Sequence, residues 1–169
     1  ACDSVMDKVG SPRGLIRSVT ESSPAGERCG IDTVANARVE RMLVANDAAS
    51  IARLFTAREL ADAGEGPGRA ASLAARFAAK EACLKLFPRE TALETIAASD
   101  FSVERDAYGA PQVVPGAAAE VVMGRYRIAR IALSMSHDAT NATAVAVAER
   151  ATNVVPALGR FVWRWMPFR

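Results

Sequence analysis

The chain has 169 residues, half of them hydrophobic and 24% charged, which fits one soluble domain built on a single core. With 21 Lys plus Arg against 19 Asp plus Glu, the net charge of +2 is too small for a general attraction to nucleic acid or a membrane, so any basic patch must be local. Three scattered cysteines, Cys2, Cys29 and Cys83, form no CxxC or Cys/His pattern; they argue against a disulfide framework or a zinc site and point to the reducing cytoplasm.

Residues 1–28 are rich in Ser, Gly, Pro and charge without a sustained apolar period, the composition of a flexible leader. The leader lacks an apolar signal core, and no stretch of the chain approaches the roughly 18 apolar residues of a membrane span. A soluble, unexported protein is therefore expected. Cys29 to Val34 reads as a short strand, and the segment from Arg38 through Met42, Leu43, Ile51 and Leu54 has helical apolar spacing. Gly64, Gly66, Pro67 and Gly68 break the chain. Ala, Leu, Arg, Lys and Glu then predict a long helix from Arg69 to Phe87, stopped by Pro88.

Phe101 to Arg105 alternates as a strand, Asp106 to Gly109 supplies a turn, and Gln112 to Val114 returns as a hairpin partner. A short helix follows near 116–123. Ile128 to Met135 and Ala142 to Ala148 are strand-length apolar runs joined by a polar turn, which predicts antiparallel pairing. The order gives an α+β domain over 29–150, a small antiparallel sheet with a long packed helix. Beyond it, residues 151–169 form a tail holding both tryptophans, Trp163 and Trp165, among Arg160, Arg164 and Arg169. Such a segment suits an interface with a membrane surface or partner, or folds back onto the domain.

Three groups of residues carry chemistry. In the long helix, Phe77, Glu81 and Lys85 share one face at i, i+4 steps, while Arg76 and Lys80 form a neighbouring like-charged pair. An anion between the two cations would relieve their repulsion; a solvated face with a Glu81–Lys85 ion pair satisfies the same spacing. In Gly30-Ile31-Asp32, a carboxylate sits in an apolar strand and needs solvent or a cation. Magnesium takes one or two carboxylates plus substrate phosphates, so Asp32 with Glu81 would suffice; equally, Asp32 could cap the following helix. In Ser134-Met135-Ser136-His137, a strand ends in hydroxyls and the chain's one histidine, able to donate to a phosphate oxygen or simply to face solvent.

Together, Gly30-Ile31-Asp32, Arg76-Phe77-Ala78-Ala79-Lys80-Glu81-Ala82 and Ser134-Met135-Ser136-His137 resemble the holo-acyl-carrier-protein synthases, small 4'-phosphopantetheinyl transferases. Phe55-Thr56 with Glu59, and Gly109-Ala110-Pro111, are secondary landmarks of the same resemblance. It implies that Asp32 and Glu81 hold magnesium against the diphosphate of coenzyme A. Glu81, directly or through a metal-held water, would help remove the proton of a carrier-protein serine. Its oxygen would then attack the β-phosphorus and expel 3',5'-phosphoadenosine. Lys80 and Lys85 would neutralise phosphate oxygens, with Lys85 at the reacting centre, and Arg76, Ser136 and His137 would hold the nucleotide part. Arg38, and secondarily Arg41, would meet the acidic helix of an apo acyl or peptidyl carrier protein. A homotrimer with coenzyme A between subunits is part of the same expectation.

The chain departs from that pattern in three places. Ala35 and Asn36 stand where an acidic residue often follows the motif aspartate; Ala110 replaces a basic hairpin residue; and Ala45, Ala48 and Ala49 occupy basic positions of the carrier-facing helix. The rival expectation is a silent module that binds coenzyme A or the carrier without transfer.

Overall fold

The computed structural model describes residues 28–150. The leader assigned to residues 1–28, apart from Arg28, and the tail over 151–169 lie outside them. Strand β1 (Arg28–Ala35) leads into helices α1 (Asn36–Ala45), α2 (Ala48–Ala52), α3 (Ala57–Ala63), α4 (Arg69–Leu84) and α5 (Arg89–Glu94). The hairpin β2 (Phe101–Arg105) and β3 (Pro111–Pro115) comes next, then α6 (Ala117–Arg125), β4 (Ile128–His137) and β5 (Asn141–Arg150). The expected α+β class is found, with two antiparallel sheets: one of three strands in the order β1-β5-β4, the other the β2–β3 hairpin.

Helix α4 lies on β1 and β5, and alanine sets how closely it does so. The buried residues of β5 are Ala142, Ala144, Ala146 and Ala148, and they meet Ala74, Ala75, Ala78, Ala79 and Ala82 of the helix. Small side chains on both surfaces let the helix approach the sheet while excluding water. The approach is tightest at Gly30, where a Cβ would fall on the carbonyl oxygen of Ala82. Only glycine fits there, and its place in β1 brings the end of that strand beside the last turns of α4. Larger apolar groups close the core at either side. Phe55 and Leu73 lie on one flank; on the other, the Phe87 ring stacks on Phe101 at 6.0 Å and meets Tyr126 edge-on at 5.7 Å.

Several boundaries differ from expectation for local reasons. Arg28 already belongs to β1; its guanidinium donates to the Leu86 carbonyl and covers the Tyr126 ring. The helical spacing over 38–54 is interrupted because Asp47 starts a new helix, accepting from the Ser50 N–H at 2.8 Å. Helix α4 ends three residues before Phe87, since the residue preceding Pro88 is kept out of the helical region. Leu86 and Phe87 instead bond carbonyls three residues back, in tight turns. Helices α3 and α5 are short, of seven and six residues, and their apolar periods are too brief to read. Among the described residues no helix is long and apolar enough to cross a membrane.

Candidate active site

The last turns of α4 and the middle of β1 bring together Asp32, Glu81 and Lys85. Lys85 Nζ donates to Asp32 Oδ1 at 2.8 Å and to the Ile31 carbonyl at 2.7 Å. The lysine thus reaches from the helix to the strand, and its side chain stays half exposed. The Glu81 carboxylate makes no hydrogen bond or salt bridge among the described residues. Partial burial, and next the Asp32 carboxylate, push its pKa up, against the pull of Lys85 and Arg38. Two carboxylates therefore repel each other across a gap that one ammonium only partly neutralises. The Glu81–Lys85 ion pair that helical spacing allows is not formed, because Lys85 goes to Asp32. Nor does Asp32 cap the next helix: the N-cap of α1 is Ala35, which has no side-chain acceptor.

Arg38 extends this face, its guanidinium 5.6 Å above the Phe77 ring. Arg38 and Arg41 are exposed neighbours at i, i+3 on α1. A wider cleft of about 550 Å³ opens beside Glu81 and Lys85, walled by Leu84, Phe87, Ala92 and Leu93, with Arg89 at its edge. Asn36, which follows the Ala35 position where an acid was expected, does structural work. It is buried, and its Nδ2 donates to the Asp138 carbonyl at 2.9 Å, tying α1 to the β4–β5 turn.

Arg76 and His137 line a separate, smaller cleft of about 170 Å³ between α4, the hairpin and the end of β4. The Arg76 side chain is 3% exposed. It donates to Ser72 Oγ at 2.6 Å and to the Ser72 carbonyl at 3.2 Å, while Asp62 stands 3.8 Å away, too far for a hydrogen bond. Its Nε is buried without a partner. Burial, and next the Arg105 guanidinium, lower its pKa. Ser136 does not join this group. Side chains alternate along a strand, so Met135 and His137 turn toward the cleft and Ser136 to the opposite face. Ser136 thus does not line the cleft that holds Arg76 and His137.

Lys80 also departs from expectation. It is fully buried, bonded to Glu59 Oε2 at 2.9 Å and to the Phe101 carbonyl at 2.9 Å. The carboxylate of Glu59 is equally buried and accepts from the Thr56 and Val103 N–H groups at 2.8 Å each. The structure therefore does not bring Lys80 together with Asp32, Glu81 and Lys85. The repulsion between Arg76 and Lys80 is met by two internal acids, Glu59 and Asp62. The sequence signal was available in Thr56-Ala57-Arg58-Glu59, a capping box in which hydroxyl and carboxylate each accept an N–H of the other's residue. It locates Glu59 at a helix start but does not reveal its partner.

Magnesium fits the first site by chemistry. The donors are two carboxylates with no sulfur or imidazole beside them, close enough to raise the pKa of one, and Mg²⁺ accepts such a set completed by phosphate and water. No cluster of three or more His, Cys, Asp or Glu occurs among the described residues, so the protein would supply two ligands at most.

Comparison with known proteins gives the family. The 4'-phosphopantetheinyl transferase superfamily model matches residues 28–148. A holo-[acyl-carrier-protein] synthase of Anaeromyxobacter sp. (strain K) is 35% identical over 123 residues, covering 71% of this chain and 93% of that protein. The crystal structure of the Neisseria meningitidis holo-[acyl-carrier-protein] synthase superposes with a TM-score of 0.62 at 29% identity, over 73% of this chain and 98% of its own. The Helicobacter pylori holo-[acyl-carrier-protein] synthase in complex with coenzyme A gives 0.60 at 26% identity, over 72% of this chain and 99% of its own. The chain belongs to the 4'-phosphopantetheinyl transferase superfamily, among the holo-[acyl-carrier-protein] synthases.

Proposed function

We propose that the chain transfers the 4'-phosphopantetheine arm of coenzyme A to a serine of an apo acyl or peptidyl carrier protein, with Mg²⁺, releasing 3',5'-phosphoadenosine. The observation that carries this reading is the meeting of Asp32, Glu81 and Lys85, an acid pair and an ammonium in one half-open site. Asp32 and Glu81 would hold the magnesium ion, whose charge offsets that of the diphosphate under attack.

Glu81 would serve as the base, directly or through a metal-held water, and its carboxylate has no hydrogen bond among the described residues to compete for the proton. As it takes the serine proton, the serine oxygen forms a bond to the β-phosphorus. The bond from that phosphorus to the bridging oxygen of the nucleotide breaks, and the electron pair leaves with 3',5'-phosphoadenosine. Lys85 offsets negative charge on the phosphate oxygens and holds Asp32 in place. The apolar walls of the wider cleft, Leu84, Phe87, Ala92 and Leu93, suit the pantetheine chain.

Arg76 and His137 would bind the nucleotide part. They line a different cleft from Glu81 and Lys85, which favours a site assembled between neighbouring subunits, as in the homotrimer expected above. The exposed outer face of the three-stranded sheet, with Ile31 58% accessible, offers such an interface. Arg38 and Arg41 would meet the acidic carrier helix beside Glu81. The free thiols of Cys29 and Cys83 suit a reducing cytoplasm.

An apo carrier protein incubated with the chain, coenzyme A and Mg²⁺ should gain the mass of phosphopantetheine. Chelation of Mg²⁺, Asp32→Ala or Glu81→Ala should each suppress the gain by about a hundredfold or more. Undiminished transfer by both variants would remove the residue assignments. Binding of coenzyme A with no modification of any carrier in a panel would make the chain a silent module.

A further inference from the structure

The wider cleft has one wall with little to hold it. Helix α5 supplies Arg89, Ala92 and Leu93 to the lining, yet none of its six residues is buried, and Leu93 is 72% accessible. The nearest anchors in the chain are Phe87 before it and Ile96 after it, both buried. A helix this short is not stable by its own hydrogen bonds and depends on its surroundings. Among the described residues, one side-chain hydrogen bond joins α5 to the rest of the domain: Thr91 Oγ1 and Tyr126 Oη lie 2.8 Å apart.

Tyr126, in contrast, is gripped from several sides. It ends α6, its amide donating to the Val122 carbonyl at 3.1 Å, and Arg127 takes the left-handed φ of 57° as the chain turns into β4. A side chain is strained in that region, so the surrounding contacts must impose the turn. The Arg28 guanidinium lies 5.0 Å from the centre of the Tyr126 ring, and Phe87 meets the ring edge-on at 5.7 Å. Arg28 is itself fixed, donating to the Leu86 carbonyl at 3.0 Å and paired in β1 with Ala148. The ring therefore belongs to the rigid part of the domain, and its hydroxyl reaches out to the half-buried Thr91.

We infer that Thr91 and Tyr126 are positioning residues for the arm of coenzyme A: their hydrogen bond holds α5 as a wall of the wider cleft. The inference rests on the reading above that this cleft takes the pantetheine chain. Neither residue lines either cleft, whereas Ala92 and Leu93, which follow Thr91 in the chain, line the wider one. An apolar wall contributes through the surface it covers, so its displacement weakens ligands that carry the arm and spares those that do not.

Calorimetric titration of coenzyme A and of adenosine 3',5'-bisphosphate into the wild type, Tyr126→Phe, Thr91→Val and the double variant tests this. Each single variant should weaken coenzyme A by roughly threefold to tenfold, the contribution of one hydrogen bond. The bisphosphate, which has no arm, should change by no more than about twofold. The double variant should lose no more than either single one, because both remove the same bond, and Thr91→Ser should bind as the wild type does. Amide exchange without ligand reads the wall itself. The Ala92 and Thr95 N–H groups, which bond back to the Pro88 and Thr91 carbonyls, should exchange several-fold faster in Tyr126→Phe while those of α4 do not change. Unaltered affinity for coenzyme A, equal losses for the two ligands, additive losses in the double variant, or unaltered exchange would each overturn the inference. A wild type that bound no coenzyme A would refute the reading beneath it as well, an outcome distinct from binding that ignores the variants.

Discussion

Lys80 and Glu81 are adjacent in α4, yet they belong to opposite kinds of electrostatic environment. Lys80 turns inward to Glu59, and that pair is fully buried with its oxygens and ammonium bonded to the backbone at Thr56, Val103 and Phe101. Glu81 turns outward to a site where Asp32 opposes it and Lys85 is bonded to Asp32, while its own carboxylate has no hydrogen bond among the described residues. A saturated cluster fixes the helix; an unsaturated one has capacity left for a proton, a cation or a phosphate. Adjacent residues of one motif thus divide between holding the fold and doing the chemistry, because a helix rotates about 100° per residue.

The comparison breaks most sharply at the buried pair. Lys80→Ala leaves the Glu59 carboxylate buried without its cation and should destabilise the domain by about 3–5 kcal/mol in denaturant unfolding. Replacing both residues by apolar ones of similar volume, Lys80→Met with Glu59→Leu, should recover much of that loss. If Lys80→Ala unfolds like the wild type, the pair is not what holds α4. Gly30→Ala tests the contact that brings the two regions together. Its Cβ would drive β1 from the Ala82 carbonyl, at a cost of about 1–3 kcal/mol. It should also depress transfer, because Asp32 moves with the strand; normal stability and normal transfer would together contradict the close approach. The smallest effect on stability belongs to Lys85→Ala. Its ion pair with Asp32 is half exposed, so the loss should stay within about 1 kcal/mol while transfer falls. A large loss of stability with transfer intact would reverse the roles assigned to the two clusters.

Much of this division was legible before the structure, though not its inner half. The run Arg69 to Phe87 reads as a helix from composition, and i, i+4 spacing correctly puts Phe77, Glu81 and Lys85 on one face. The same spacing cannot say that Lys80 points at Glu59, since that partner comes from a different helix and only folding brings it near. The repulsion argued for Arg76 and Lys80 was sound; Glu59 answers it at Lys80, whereas Asp62 stands 3.8 Å from Arg76. Reading the motif of Ser136 as a unit could not show that strand alternation separates it from His137. Glycine at position 30 was noted as part of a motif, and its physical reason, the Ala82 carbonyl, appears only in three dimensions.

The account depends on Asp32 and Glu81 serving one divalent ion in the presence of a diphosphate. Calorimetric titration of Mg²⁺ into the coenzyme A complex tests this directly, with Asp32→Asn and Glu81→Gln beside the wild type. Each neutral amide should abolish or greatly weaken the magnesium heat seen with the wild type, while coenzyme A still binds through the other cleft. Unaltered Mg²⁺ binding in both variants would contradict the shared site.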